Sequence, residues 1–89
     1  MLITLYKMDG EKQFFYSIND HHRSLFSQKI LNCVWGIRNH RAKEKNYFFE
    51  TENELFAKVM ELCRKQQAKG YQLLYVYPRD LLTPSNLTA

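Results

Sequence analysis

The sequence predicts a two-layer α+β domain: a mainly antiparallel β-sheet with one amphipathic helix on one face, ordered β-β-β-β-α-β. Three observations predict it. Asp9-Gly10 is a strong turn pair between two apolar segments, the pattern of a β-hairpin. Between Thr51 and Gly70 apolar residues recur at the helical period. The short segments around that stretch are rich in aromatic and β-branched residues, which suit a pleated, half-buried surface. A single helix covers only one face of a sheet, so the other face is left to water or to a partner.

Leu2 to Met8 reads as the first strand, and Gln13 to Ile18 as the second. The two-residue period puts Phe14, Tyr16 and Ile18 on one face and Phe15 and Ser17 on the other. Asn19 to Ser24 is polar and reads as a loop, with Leu25 and Phe26 beginning to cover the sheet again. Lys29 to Ile37 is the third strand. Its Leu31, Cys33, Trp35 and Ile37 form the more apolar face, opposite Ile30, Asn32, Val34 and Gly36. The run from Asn39 to Lys45 has no strongly hydrophobic content and reads as an exposed basic turn, followed by a short aromatic strand over Asn46 to Glu50.

The helix is signalled at both ends. Thr51-Glu52-Asn53-Glu54 is a capping box, in which the threonine accepts from an early backbone amide and Glu54 reaches back. Leu55, Phe56, Val59, Met60, Leu62 and Cys63 make its apolar face. Acids in the first turn and Arg64, Lys65 and Lys69 toward the end match the macrodipole, and Gly70 supplies a left-handed stop. Tyr71 to Tyr77 is the last strand, halted by Pro78. Residues 1–78 therefore form the domain, and 79–89 read as a loose tail in which Leu81 and Leu82 can dock.

The 89 residues make one domain, and 45% apolar and 15% aromatic content is enough for a core, which excludes a disordered chain. A net charge of +4 permits a polyanionic partner without requiring one. Cys33 and Cys63 lack metal or redox spacing and sit among apolar neighbours, so buried free thiols in a reducing, cytoplasmic setting are expected. The first residues are too short an apolar run for a signal peptide, and no run reaches membrane-span length. His21, His22 and His40 fit no metal-ligand spacing with the cysteines, and no catalytic triad, phosphate loop or carboxylate pair stands out. No metal, no cofactor and no enzymatic activity are expected.

The densest positive charge follows the lone tryptophan. Trp35 and Gly36 close the third strand, and Arg38, His40, Arg41, Lys43 and Lys45 come directly after. Glycine there lets another backbone or a ligand approach closely. An indole beside clustered cations can stack on a base or sugar while the cations neutralise phosphates. The competing readings are a core tryptophan beside Leu31 and Cys33, and a solvated charged turn.

The pattern resembles the WGR domain, a small module named for a Trp-Gly-Arg motif and known in poly(ADP-ribose) polymerases and short bacterial proteins. The likeness rests on the Phe15-Tyr16 strand and on Trp35-Gly36 ending a later strand. It continues with a phenylalanine-bearing strand before the helix, and with a helix running through lysines into Lys69-Gly70-Tyr71. The resemblance implies an antiparallel sheet with one helix, and contact with DNA backbone or ends through the Trp-Gly corner. Two departures stand out. The third motif position is Ile37, with arginine one residue later as Arg38, and a one-residue shift on a strand changes face. Asn39 and His40 stand where the family usually has glycine.

The function expected is thus a non-enzymatic module that binds nucleic acid, DNA first, through Trp35, Gly36, Arg38, His40, Arg41, Lys43 and Lys45, with low sequence specificity. The alternative is a protein-interaction or self-assembly module, a homodimer included, using the uncovered sheet face or an edge strand. No membrane partner is expected.

Overall fold

The computed structural model describes residues 1–23 and 28–78, with side chains described for 1–20 and 29–78. The readings for Ser24, Leu25, Phe26 and the 79–89 tail lie outside the described residues. The elements are β1 (Leu2–Asp9), β2 (Lys12–Arg23), β3 (Gln28–Ile37), β4 (Lys43–Phe49), α1 (Glu52–Ala68) and β5 (Gln72–Tyr77). They form one five-stranded sheet in the order β4-β3-β2-β1-β5. Every neighbouring pair is antiparallel, so the expected α+β architecture holds.

Two boundaries depart from the sequence reading by three residues or more, and the first hairpin turns at Gly10-Glu11 rather than Asp9-Gly10, since Asp9 pairs with Lys12. Asn19–Arg23 is not a loop: β2 runs on to Arg23, paired with Gln28–Asn32 of β3. Its polar side chains do not stop it, because the backbone ladder satisfies N–H and C=O groups whatever the side chain. Asp20 is further held by the N-terminal ammonium at 2.8 Å. The basic turn is also shorter than expected, since β4 begins at Lys43 rather than Asn46. Lys43 pairs with Trp35 and Lys45 with Cys33. β4 is an edge strand, and charged residues are well suited to an edge because they discourage further pairing.

The helix packs on the face carrying Ile3, Leu5, Ile18, Leu31 and Cys33, and buries Leu55, Val59, Leu62 and Cys63 against them. The predicted faces of β2 and β3 are those observed. Thr51 Oγ1 accepts from the Glu54 amide at 3.2 Å, but Glu54 stays exposed and makes no reciprocal bond among the described residues. Gly70 takes φ +99, the left-handed stop expected of it.

Cys33 and Cys63 are buried free thiols. Burial, with Cys33 close by, pushes the Cys63 thiol up to about 11. Burial likewise raises Cys33, against a weaker lowering influence from the Tyr16 hydroxyl. On the opposite face the middle of the sheet is polar. Asn32 Nδ2 donates to Asn46 Oδ1 at 2.7 Å, and the hydroxyls of Thr4 and Ser17 meet at 3.2 Å.

Candidate nucleic-acid interface

α1 does not cover the whole of its face. The cross-strand rows run Ile3–Ile18–Cys33–Lys45, then Leu5–Tyr16–Trp35–Lys43, then Lys7–Phe14–Ile37. The first row lies under the helix, while Trp35, Phe14 and Ile37 remain only half-buried. Trp35 stacks on Tyr16 with ring centroids 5.7 Å apart and planes 19° from parallel. Its ring is therefore a wall shared between core and surface, intermediate between the two readings the sequence left open. Desolvation by burial, first of several causes, holds the Tyr16 hydroxyl well above the ordinary tyrosine range.

Two hollows meet at this ring and share Phe14, Trp35 and Tyr71 as walls. The deeper is a cleft of about 390 Å³ between the last turns of α1 and the sheet. Tyr16, Tyr47 and Leu62 complete its apolar lining, with Gln66 at its helix wall and Lys7, Lys45, Lys65 and Lys69 as its cations. The second, also about 390 Å³, is lined by Gly36, Ile37, His40, Arg41 and Lys43. Among the described residues neither is lined by a carboxylate.

Two of the lysines, Lys7 and Lys45, are held by aromatic faces rather than by acids, and Lys7 Nζ also donates to the Lys69 carbonyl at 3.5 Å. Lys7 Nζ lies 5.2 Å from the ring centres of both Phe14 and Tyr71, and Lys45 Nζ lies 4.9 Å from that of Tyr47. Cation–π contacts leave the positive charge uncompensated. Among the described residues the side-chain ion pairs, Lys29–Glu52 and Lys58–Glu61, use other lysines. A net charge of +4 is modest, but six of the 13 lysines and arginines (Lys7, Arg41, Lys43, Lys45, Lys65 and Lys69) line these two hollows.

The expected site residues are mostly brought together. Trp35, His40, Arg41 and Lys43 share one hollow, and Lys45 joins the cleft beside it. Gly36 has a local purpose, since a Cβ there would come 3.3 Å from Ala42 Cα. The backbone it admits is the chain's own returning turn. Arg38 is not brought to this surface. Its amide donates to the Gln13 carbonyl at 2.8 Å and its Nη1 to Gln13 Oε1 at 3.2 Å, which ties it to the β1–β2 hairpin. Asn39 takes φ +69, a left-handed conformation that asparagine tolerates better than most residues, and so fills a glycine's place in the turn.

Sequence reasoning missed Lys7 and Gln66, named Tyr71 only within the family likeness, and read Lys65 and Lys69 mainly through the helix dipole. Gln66 was the most findable: Leu55, Val59, Leu62 and Gln66 continue one stripe of helical spacing, yet glutamine alone reads as a solvent residue. No family model matches the chain, and no curated protein or solved structure matches it either. No described helix is long and apolar enough to cross a membrane.

Proposed function

We propose that this protein is a non-enzymatic, WGR-like binding module that holds the sugar-phosphate backbone of DNA at its Trp35 end. One observation carries the reading: a half-buried indole stands at the junction of two hollows whose rims, among the described residues, are cationic and free of carboxylates. Arg41, Lys43 and Lys45 neutralise phosphates, and the exposed edge of Trp35 packs on a sugar or base. Affinity of this kind is weak, indifferent to sequence and steeply dependent on salt. The test is a titration with end-labelled duplex at low salt, comparing wild type with Arg41→Glu/Lys43→Glu. Each lost phosphate contact should reduce the salt slope by roughly 0.9. Equal retention of duplex by both proteins would remove the proposal.

A second reading, self-association through β5, draws on a specific contrast between the sheet's two margins. β4 offers Lys43, Glu44 and Lys45, whereas Tyr71 to Tyr77 carries no charge at all. Leu73, Leu74, Tyr75 and Tyr77 are 43%, 60%, 49% and 60% exposed along that strand, the edge of the sheet among the described residues. A neutral strand can pair antiparallel with its own copy without charge repulsion. Sedimentation of wild type against Leu73→Lys/Tyr75→Lys tests this. The substitutions should disperse any dimer, and Arg41→Glu/Lys43→Glu should leave it intact.

A further inference from the structure

Gln66 does something that backbone binding does not need. It is the buried polar residue among the described ones, 6% exposed, on a helix face otherwise made of Leu55, Val59, Leu62 and Cys63. Its backbone carbonyl is occupied, accepting from the amides of Lys69 and Tyr71. Its side-chain carboxamide has no hydrogen bond to any described residue, and it lines the cleft against Trp35, Tyr16 and Tyr71. The carboxamide is not sealed off, since among the described residues the enclosed, unpartnered side-chain polar atom is Asn19 Oδ1; it opens into the cleft, where a ligand can bond it in place of water.

The chemistry of that ligand is narrow. A carboxamide presents a donor and an acceptor side by side in one plane, so its complement is a flat group with an acceptor next to a donor on one edge. The walls are aromatic, which suits a flat ring. The rim is lysine, which suits a phosphate attached to the ring through a short linker. The interior lies near the C-terminal pole of α1, where the helix carries partial negative charge. That pole disfavours a phosphate inside and favours an amino group. The cleft's volume of about 390 Å³ lies in the range of small-molecule sites.

The geometry points to a pocket for one unpaired, amino-bearing nucleobase, adenine foremost. Gln66 bonds its edge, Trp35 and Tyr71 flank its faces, and Lys7 and Lys45 hold the adjoining phosphates. Gln66 Oε1 accepts from the exocyclic amine and Nε2 donates to the neighbouring ring nitrogen, the pairing glutamine makes with adenine elsewhere. This inference rests on the nucleic-acid reading above and sharpens it: the ligand is a single-stranded or frayed end, in which a base is free to leave the stack.

The test uses the fluorescence of Trp35, the lone indole in the chain, during titration at low salt. The probes are short oligodeoxyadenylate, oligothymidylate, an abasic strand of the same length, and a blunt duplex. Oligodeoxyadenylate should bind about tenfold more tightly than the other single strands, the scale of one bidentate base contact. Gln66→Leu, which continues the apolar stripe, should abolish that preference and leave abasic and duplex binding unchanged. Gln66→Met should do the same, so the result does not depend on one variant folding. Equal binding of adenine and abasic strands would overturn the base pocket and leave the backbone reading standing. Failure of every probe to bind would overturn both. A preference for adenine that survives in both Gln66 variants would overturn the role given to Gln66.

Discussion

On the helix-bearing side of the sheet, the same strands serve two ends differently. At one end Ile3, Ile18, Leu31 and Cys33 are fully or almost fully buried beneath α1, and their neighbours are apolar. Along the same strands, in the next two rows, Trp35 and then Phe14 and Ile37 keep an open side, and lysines stand beside them. Hydrophobic content is alike in the two regions. What differs is cover: the helix seals one end, and its last turns only border the other. An aromatic residue thus becomes core or platform according to where the helix stops.

The largest effect expected from breaking this contrast is in the sealed end. Leu5→Ala removes a fully buried side chain and should destabilise the fold by about 2–5 kcal/mol in urea unfolding. DNA binding below the transition should be unchanged. A loss of binding without loss of stability would merge the two regions.

Alkaline pH tests the seal next. The Cys63 thiol is held at about 11 in the fold against 9 for a free thiol. The folded state keeps a proton that the unfolded chain releases. Stability from this group is therefore full below pH 9 and declines by roughly 3 kcal/mol as pH passes 11. Thermal unfolding from pH 8 to 11 should fall more steeply for wild type than for Cys63→Ala.

Trp35→Ala belongs at the boundary. Its ring is half-buried, so the stability loss should be about 2 kcal/mol, short of a full core truncation. Binding should fall further than stability explains, read by titration at matched folded fraction. Thr51→Ala removes the hydroxyl that caps α1 and should cost about 1 kcal/mol in urea unfolding with no change at the cleft. Smallest in stability is Lys65→Gln/Lys69→Gln at exposed positions, which removes two charges that suit the C-terminal pole of α1 and should cost about 0.5 kcal/mol. The same pair should weaken DNA binding and flatten its salt dependence, which separates the open end from the sealed one.

Much of this was legible from local pattern. The β1–β2 hairpin, the faces of β3 and both ends of α1 follow from signals within a few residues of each other. What was not legible depends on partners distant in the chain. Asn19–Arg23 becomes strand because β3 offers a ladder, and Lys43–Lys45 becomes strand because an edge accepts charge. Lys7 and Tyr71 reach the site only through the placement of β1 beside β2 and of α1's end above them, separations no periodicity encodes. Arg38 could be placed in sequence but not in direction, since its direction is set by Gln13.

The unlike margins of the sheet carry one more consequence. Addition of strands needs an unguarded border on each newcomer, and the described residues give this sheet one border studded with charge and another that carries none. Two copies joined bare to bare would expose only guarded borders, so growth would end at a pair. On the self-association reading, the asymmetry of charge between the first and last strands of the sheet would limit growth to a pair and stop it short of a fibre.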